Sequence, residues 1–223
     1  MDSNEYTKKL ENVIKQMLQP LKDIPFNLVI ETMTGKKVLS FDFNNEEHKE
    51  VLDLLKKSAL KVGKEINKSE ILRPRPNEVG NDIEIYVRNS LNSFCLKADI
   101  PVGPSGNKKA TGYPDILFWF KEKPYYLECK TYNIENIETT QRSFYFSPSD
   151  EFKVTYDASH FILSFEIYVA GEKGNKHIYK CKHYKILSIE SLSLDVKYEF
   201  NSDNKRMYSD KDGTIILDEG KIE

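Results

Sequence analysis

The chain has 223 residues, of which 39% are apolar, 30% charged and 12% aromatic, a composition that favours one folded domain with room for a small appendage. Its formal net charge of −2 argues against a general nucleic-acid coat, which would be strongly basic, but a local basic surface is compatible with it.

The cysteines and the lengths of the apolar runs exclude further classes of protein. Three cysteines without regular spacing exclude a disulfide framework, and no CxxC pair suggests structural zinc. The first residues lack the apolar core of a signal peptide, and no run of apolar residues is long enough to span a bilayer. We therefore expect a protein of the reducing cytoplasm without a membrane segment.

The N-terminal region predicts a helix, a β-hairpin and a second helix. Helical spacing of apolar residues marks 5–19, and two runs flanking Thr34-Gly35 favour a hairpin over 26–43. Asn44-Asn45 is expected to cap a helix over 46–66. Prolines at 74 and 76 then favour an extended link, so we divide the chain into an N-terminal region, 1–72, and a second domain, 77–223.

The second domain begins with a predicted helix over 79–94, in which apolar residues recur every fourth position. A glycine- and lysine-containing loop and a polar stretch with a short helix around 138–144 interrupt the strands that follow. Predicted strands lie at 95–102, 112–120, 125–133, 160–171, 178–189 and 191–200, with a possible edge strand at 213–217.

The hairpin formed by the second and third of these strands carries two acids and an amine. A four-residue loop at 121–124 sets Leu117 opposite Glu128, and Asp115 opposite Lys130. Facing residues share a side of the sheet, so all three charged side chains project from one face. The opposite face is apolar and suited to burial; it comprises Ile116, Phe118, Phe120, Leu127 and Cys129.

Two neighbouring carboxylates and a lysine suit phosphodiester hydrolysis. This reaction needs a cation that neutralises phosphate charge and lowers the pKa of a bound water. Mg²⁺ prefers oxygen ligands and needs only one or two carboxylates, and a nearby lysine can orient the water or stabilise the transition state. The alternative is an exposed ladder of ion pairs, which is common and contributes little.

The pattern Pro114-Asp115, then Glu128-Cys129-Lys130 after twelve intervening residues, resembles the signature of the PD-(D/E)XK nuclease superfamily, which includes most type II restriction endonucleases. The resemblance implies an α/β fold with a central mixed sheet flanked by helices. It says little about residues 1–72, where the residue pattern predicts a helix–hairpin–helix extension. It implies that Asp115 and Glu128 bind Mg²⁺, together with the main-chain carbonyl of Cys129, and that Lys130 serves the water. An acid on the preceding helix joins such sites; Glu84 is the first candidate and Glu78 the second.

Several basic residues are candidate contacts to DNA phosphates or bases. Lys108 and Lys109 lie in the loop before the Asp115 strand, where a solvated loop is an equally good reading. The lysines of residues 172–185 are the best candidates for a DNA-facing hairpin, although lysines also protect edge strands from aggregation. The individual candidates are Lys108, Lys109, Arg142, Lys176, Lys180 and Lys182.

The sequence therefore predicts a Mg²⁺-dependent endonuclease for double-stranded DNA, with a sequence-specific type II restriction enzyme as the first choice. Cutting both strands of a palindrome would favour a homodimer, to which residues 1–72 could contribute DNA or subunit contacts. A repair or junction-resolving nuclease with the same core and a non-catalytic DNA-binding module are the alternatives.

Overall fold

The computed structural model describes residues 3–19, 21–108, 112–138 and 143–198 of the chain. Residues 24–193 form one compact unit, and the described residues before 24 and after 193 belong to a second. The helices are α1 (Ser3–Met17), α2 (Phe26–Thr34), α3 (Glu46–Ser69) and α4 (Val79–Ser93), with 3-10 turns at Pro76–Glu78 and Ile134–Asn136. The strands are β1 (Ile24–Pro25), β2 (Ile71–Arg73), β3 (Ile116–Phe120), β4 (Lys123–Tyr132), β5 (Ser159–Lys173), β6 (Lys176–Ser188) and β7 (Ser193–Leu194).

A five-stranded mixed sheet forms the centre of the larger unit. Its strand order is β2-β6-β5-β4-β3, in which β4 and β5 are parallel and the other neighbours are antiparallel. Helices α3 and α4 contact the sheet and each other. This architecture is compatible with the restriction endonuclease-like core that the sequence resemblance implied, and it confirms the predicted α/β class.

One face of the sheet and the apolar sides of α3 and α4 form a single hydrophobic core. Leu55 on α3, Ile83 on α4, and Leu127 and Leu163 on the sheet are all fully buried within it. This burial is the main stabilising contribution, at roughly 25 cal/mol for each Å² of apolar surface removed from water. The opposite face of β4 is thereby left for the charged residues of the candidate site.

The predicted helix α3 is confirmed, and so is its cap. The side-chain oxygen of Asn45 accepts hydrogen bonds from the backbone amides of Glu47 and His48, at 2.9 and 3.3 Å. Such a cap satisfies amides that have no partner within the first turn. Although α3 lies in the N-terminal region of the sequence division, it packs into the same core as α4 and the sheet.

The predicted hairpin over 26–43 is wrong, because residues Phe26–Thr34 form helix α2. Phe26 and Ile30 lie four apart and are both fully buried, which is the spacing of one helix face. Gly35 ends the helix with a φ of 68°, a left-handed conformation that glycine adopts without steric cost. In the segment that follows, Val38 makes an isolated bridge to Ala158.

Two other predicted elements differ from the structure. Residues 95–102 make only isolated bridges, such as that between Asp99 and Leu117, instead of a regular strand. Of the helix predicted around 138–144, the structure describes only residues 138, 143 and 144, and none of them is helical. Of the strand predicted over 191–200, the described part contains only β7. The possible edge strand at 213–217 lies outside the described residues.

The apolar stripe of α1 is largely exposed: Leu10 and Ile14 are 44% and 43% accessible. No helix in the part of the chain that the structure describes combines the length and the hydrophobicity of a membrane span.

Candidate active site

The β3–β4 hairpin brings the predicted acids and amine together, but in a different register from the one predicted. The loop is a two-residue turn at Lys121-Glu122, both with positive φ, so Phe120 pairs with Lys123 and Ile116 with Leu127. The register therefore differs by two residues, which preserves the face on which each side chain projects. Asp115, immediately before β3, is thereby set beside Glu128 and not beside Lys130.

The carboxylate of Asp115 is fixed by the backbone of the neighbouring strand. Its Oδ2 accepts a hydrogen bond from the amide of Cys129 at 2.8 Å. The side chain of Cys129 is buried in the apolar core, so this residue meets the acids only through its backbone. That placement leaves no role for its thiol as a nucleophile, and the use of its main-chain carbonyl as a ligand stays a prediction.

Glu128 is the most deeply buried acid of the site, at 4% exposure. Its Oε1 lies 2.7 Å from Nζ of Lys130, two residues along the same strand. Its Oε2 is buried and has no hydrogen-bond donor among the residues that the structure describes. A buried oxygen without a partner is costly, and a bound cation is one way of satisfying it.

A third acid approaches from helix α4. Glu84 lies close enough to Asp115 for the negative charge of Asp115 to raise its pKa. Glu78, the second candidate from the sequence, instead interacts with Arg73 and Tyr179 at the other side of the helix start. The structure thus brings Glu84 to the acids and places Glu78 elsewhere.

Burial dominates the electrostatics of these acids. Burial, reinforced by the charge of Asp115, raises the pKa of both Glu84 and Glu128 to about 7. Burial also raises the pKa of Asp115, although the hydrogen bond from Cys129 opposes that shift. Burial alone would lower the pKa of Lys130, but the charges of Glu128 and Asp115 outweigh it and raise that pKa. The site is therefore a cluster of carboxyl groups whose ionisation is disfavoured by burial, beside an amine that stays protonated.

A second lysine, which the sequence analysis did not identify, joins this cluster. Lys153 is only 2% exposed, and it interacts electrostatically with Asp115, Glu128 and Glu84. The only sequence signal was its position between two apolar residues, Phe152 and Val154, which does not by itself distinguish a buried lysine from an exposed one.

An aromatic cluster supports the residues before Asp115. The ring of Tyr113 stacks on His160, and its hydroxyl shares a 2.6 Å hydrogen bond with Nδ1 of that residue. Burial lowers the pKa of His160 to about 3, so this imidazole is neutral. Phe26 from α2 and Phe144 contact Tyr113 edge to face. The cluster thereby holds the chain rigidly on the side of Asp115 that precedes β3.

The donor set fits a hard divalent cation. Asp115, Glu128 and Glu84 offer carboxylate oxygens, and Oε2 of Glu128 lacks a donor. Within the described ranges, no three His, Cys, Asp or Glu side chains already surround one point where an ion would be held. Mg²⁺ requires only one or two protein carboxylates and keeps several waters, so two converging acids suffice.

The residues predicted to contact DNA lie in different parts of the structure. Lys108 is exposed and ion-paired with Asp99, while Lys109 and Arg142 lie outside the described residues. Lys176 is exposed at the tip of the β5–β6 hairpin, and Lys182 is exposed beside a bulge in β6.

Lys180 and Lys185 of β6 lie on the same face of the sheet as Lys130. Lys130 pairs with Ser164 of β5, and Ser164 in turn pairs with Lys185, so the three side chains share one side. Lys185 lies 5.2 Å from the ring centre of Tyr132 on β4, which corroborates that side. Lys180 pairs with Tyr168, four residues after Ser164, and also approaches Glu70 at 3.3 Å. Lys185 belongs to the lysines of residues 172–185 that the sequence analysis proposes as a DNA-facing hairpin.

Comparisons with known proteins agree on one family. The family described as type II restriction enzyme MjaV matches residues 20–211. A type II restriction enzyme MjaV from Methanocaldococcus jannaschii is 37% identical over 224 aligned residues, which cover 93% of this chain and 95% of that protein. No solved structure gives a significant match.

Proposed function

The chain belongs to the type II restriction enzyme MjaV family and is a type II site-specific deoxyribonuclease, and from this premise we propose that Asp115 and Glu128 hold Mg²⁺ while Lys130 serves the attacking water. Family membership favours this function over a junction-resolving nuclease or a non-catalytic DNA-binding module. The observation that supports the proposed site is the convergence of buried Glu128 with Asp115, which is tied to the adjacent strand.

The proposed chemistry follows from the positions of the side chains. Mg²⁺, when bound, supplies a positive charge to the scissile phosphate and lowers the pKa of a coordinated water. Asp115 and Glu128 would provide its carboxylate ligands, and the carbonyl of Cys129 would add a third oxygen. Glu84 would contribute a further negative charge from α4 that favours binding of the cation.

Lys130 acts on the water and on the phosphate. Its amine is held 2.7 Å from Oε1 of Glu128, so it stays beside the acids. From there it donates hydrogen bonds that orient the attacking water and stabilises negative charge developing on the phosphate oxygens. Its raised pKa keeps it protonated near neutral pH, which favours orientation and charge stabilisation over proton abstraction.

The substrate is proposed to be double-stranded DNA that lies across the face of the sheet bearing Lys130. Lys180 and Lys185 on that face would contact backbone phosphates, with Lys176, Lys182 and Lys108 at its margins. Cutting both strands of a twofold site favours a homodimer, and residues 1–72 are proposed to supply DNA or subunit contacts. A restriction enzyme meets its DNA in the cytoplasm, where we place this protein.

Digestion of unmethylated phage DNA tests this proposal. With Mg²⁺, the protein is expected to give discrete fragments whose sequenced ends share one short site; with EDTA, it should give none. The variant Asp115→Asn should leave the DNA intact. A smear without common ends would contradict sequence specificity, and cutting that is unchanged by EDTA or by Asp115→Asn would contradict the proposed metal site.

A further inference from the structure

We propose that Lys153 is a second catalytic lysine, whose ammonium contacts the scissile phosphate while Lys130 serves the water, an assignment that rests on the proposed function. The proposal extends the site from the β3–β4 hairpin to the segment that precedes β5. It is based on the position of Lys153, its fixed backbone, and the balance of charges in the cluster.

Lys153 has the position of a site residue. Lys153 is almost entirely removed from solvent, at 2% exposure, and its ammonium interacts electrostatically with Asp115, Glu128 and Glu84. It also lines a cleft of about 250 Å³ together with Tyr113 and Tyr145.

The backbone around Lys153 is anchored on both sides. Phe152 and Val154 are buried, at 7% and 3% exposure. The hydroxyl of Tyr126, on the catalytic strand β4, accepts hydrogen bonds from the amides of Thr155 and Tyr156 at 2.8 and 3.2 Å. The lysine is therefore held against β4 and does not sample solvent as a surface lysine would. A pre-positioned charge of this kind is effective in catalysis because it needs no reorganisation during the reaction.

The charges around the acids are close to balanced. The three carboxylates interact electrostatically with Lys153 and Lys130 and, at Glu84, also with Arg88. Binding of a divalent cation by the acids leaves positive charge in excess, which attracts a phosphodiester.

The two lysines have different partners, which suggests different tasks. Lys130 is paired with Glu128 at 2.7 Å, and its side chain is 26% exposed, so it borders the solvent from which the water comes. Lys153 is buried more deeply and interacts electrostatically with three acids. Binding of a cation by these acids would weaken their attraction for Lys153, and a phosphate oxygen would offer its ammonium a charged partner.

A double-mutant cycle tests this contact directly. DNA carrying the site found by digestion is compared with DNA in which a neutral methylphosphonate replaces the scissile phosphate, both bound in Ca²⁺ to prevent cutting. Lys153→Met is expected to weaken binding of ordinary DNA about tenfold and binding of methylphosphonate DNA less than about twofold, because the neutral linkage no longer offers the lysine an anion. Equal weakening of both DNAs would overturn the proposal. Lys57→Met, at an exposed lysine of α3, is the matched control.

Two further measurements separate a catalytic role from a structural one. Lys153→Met should lower the single-turnover cutting rate about 100-fold or more, as removal of one charge-stabilising donor typically does. It should also bind Mn²⁺ without DNA about three- to tenfold more tightly, because a repelling charge has left the acids. A lysine that only holds the acids in place would instead weaken Mn²⁺ binding when removed, and that result would overturn the proposal.

Failure of this inference is distinguishable from failure of the proposed function. If the unmodified protein cuts and Asp115→Asn does not, the proposed site stands, and rapid cutting by Lys153→Met contradicts only the role of Lys153. Circular dichroism monitors folding; if Lys153→Met does not fold, Lys153→Gln, which retains a polar head group, enters the same cycle with the same expected results.

Discussion

The carboxylate of Asp115 accepts a 2.8 Å hydrogen bond from the backbone amide of Cys129, the residue between Glu128 and Lys130. This bond joins the residue before β3 to the middle of the proposed catalytic stretch on β4. It fixes Asp115 relative to Glu128 and Lys130 without using a polar side-chain atom of either of them. Asp115→Asn keeps a side-chain oxygen that accepts this bond, so this change tests the charge of Asp115 with the least disturbance of the site.

Removing either acid of the hairpin should abolish cutting without destabilising the fold. Asp115→Asn and Glu128→Gln each remove a metal ligand, and the cutting rate should fall at least about 1,000-fold. The metal-free variants should melt at the same or a higher temperature than the unmodified protein, because a reluctant buried charge has been removed. Asp53→Asn, at an exposed residue of α3, is the control for charge. A marked loss of thermal stability would mean that the acids serve structure instead.

Cutting should be lost as the pH falls through about 7. Burial, together with the charge of Asp115, raises the pKa of Glu84 and Glu128 to about 7, and only their ionised forms bind a cation well. The single-turnover rate at low Mg²⁺ should therefore drop at least about tenfold between pH 8 and pH 6. Higher Mg²⁺ should move the midpoint to lower pH, because cations favour the ionised acids. A midpoint near pH 4.5 that is independent of Mg²⁺ would contradict these pKa shifts.

The same shifts predict an opposite trend for the stability of the metal-free protein. A carboxyl group whose pKa is raised from 4.5 to about 7 on folding binds more protons in the folded state between these values. The stability contributed by Glu84 and Glu128 is thus fully present below about pH 4.5 and is lost as the pH rises through about 7. Urea denaturation at several pH values measures this trend. In Glu128→Gln the decline with pH should be shallower, and an unchanged slope would argue against the shift at that residue.

Substitution of Glu84 should slow cutting much more than substitution of Glu78. Glu84→Gln removes a charge beside Asp115 and is expected to slow cutting about 10- to 100-fold at limiting Mg²⁺, through weaker metal binding. Glu78→Gln, at the start of the same helix, is the matched variant and should cut within about twofold of the unmodified protein. Equal effects of the two changes would mean that α4 matters for packing and not for the metal.

The lysines of β6 should govern the salt dependence of DNA binding. Lys180→Ala and Lys185→Ala each remove one proposed phosphate contact, which should reduce the slope of log affinity against log salt by about 1. Affinity should fall by a similar factor for specific and unrelated DNA, because phosphates carry no base information. Lys57→Ala serves as the control on α3. An unchanged slope for both variants would place the DNA on another surface.

The aromatic cluster should contribute to both stability and activity. Phe26 is fully buried and contacts Tyr113 and His160, so Phe26→Ala should lower the free energy of unfolding by about 3–5 kcal/mol. Leu28→Ala, at a position of the same helix that is 54% exposed, should cost well below about 1 kcal/mol. The Phe26 variant should also cut more slowly at temperatures where it stays folded, because Tyr113 loses support two residues before Asp115.

The sequence was informative where periodicity and spacing were strong. The apolar stripe of α4, the Asn45 cap and the sharing of one face by Asp115 and Glu128 followed from simple repeat rules. The predicted register was nevertheless wrong by two residues, because Lys121 and Glu122 form a two-residue turn with positive φ. Lysine and glutamate are not typical of such turns, so the sequence did not indicate it. The face of the sheet assigned to each side chain was still correct, because the predicted loop and the observed loop both have an even number of residues.

Long-range placements were beyond such rules. The buried position of Lys153 depends on Tyr126 holding the backbone of residues 155 and 156, a contact across 29 residues of chain. Helix α2 was read as a strand because Phe26–Met33 is rich in β-branched and aromatic residues, whereas burial of Phe26 and Ile30 together favours the helix. Such tertiary effects override local preference and are not visible in a single sequence.

A crystal structure with Ca²⁺ and a DNA fragment containing the cleavage site would show the proposed metal site itself. We expect one ion bound by carboxylate oxygens of both Asp115 and Glu128 at about 2.3–2.6 Å, in contact with the scissile phosphate. An ion held by other residues, or a scissile phosphate remote from these two acids, would contradict it.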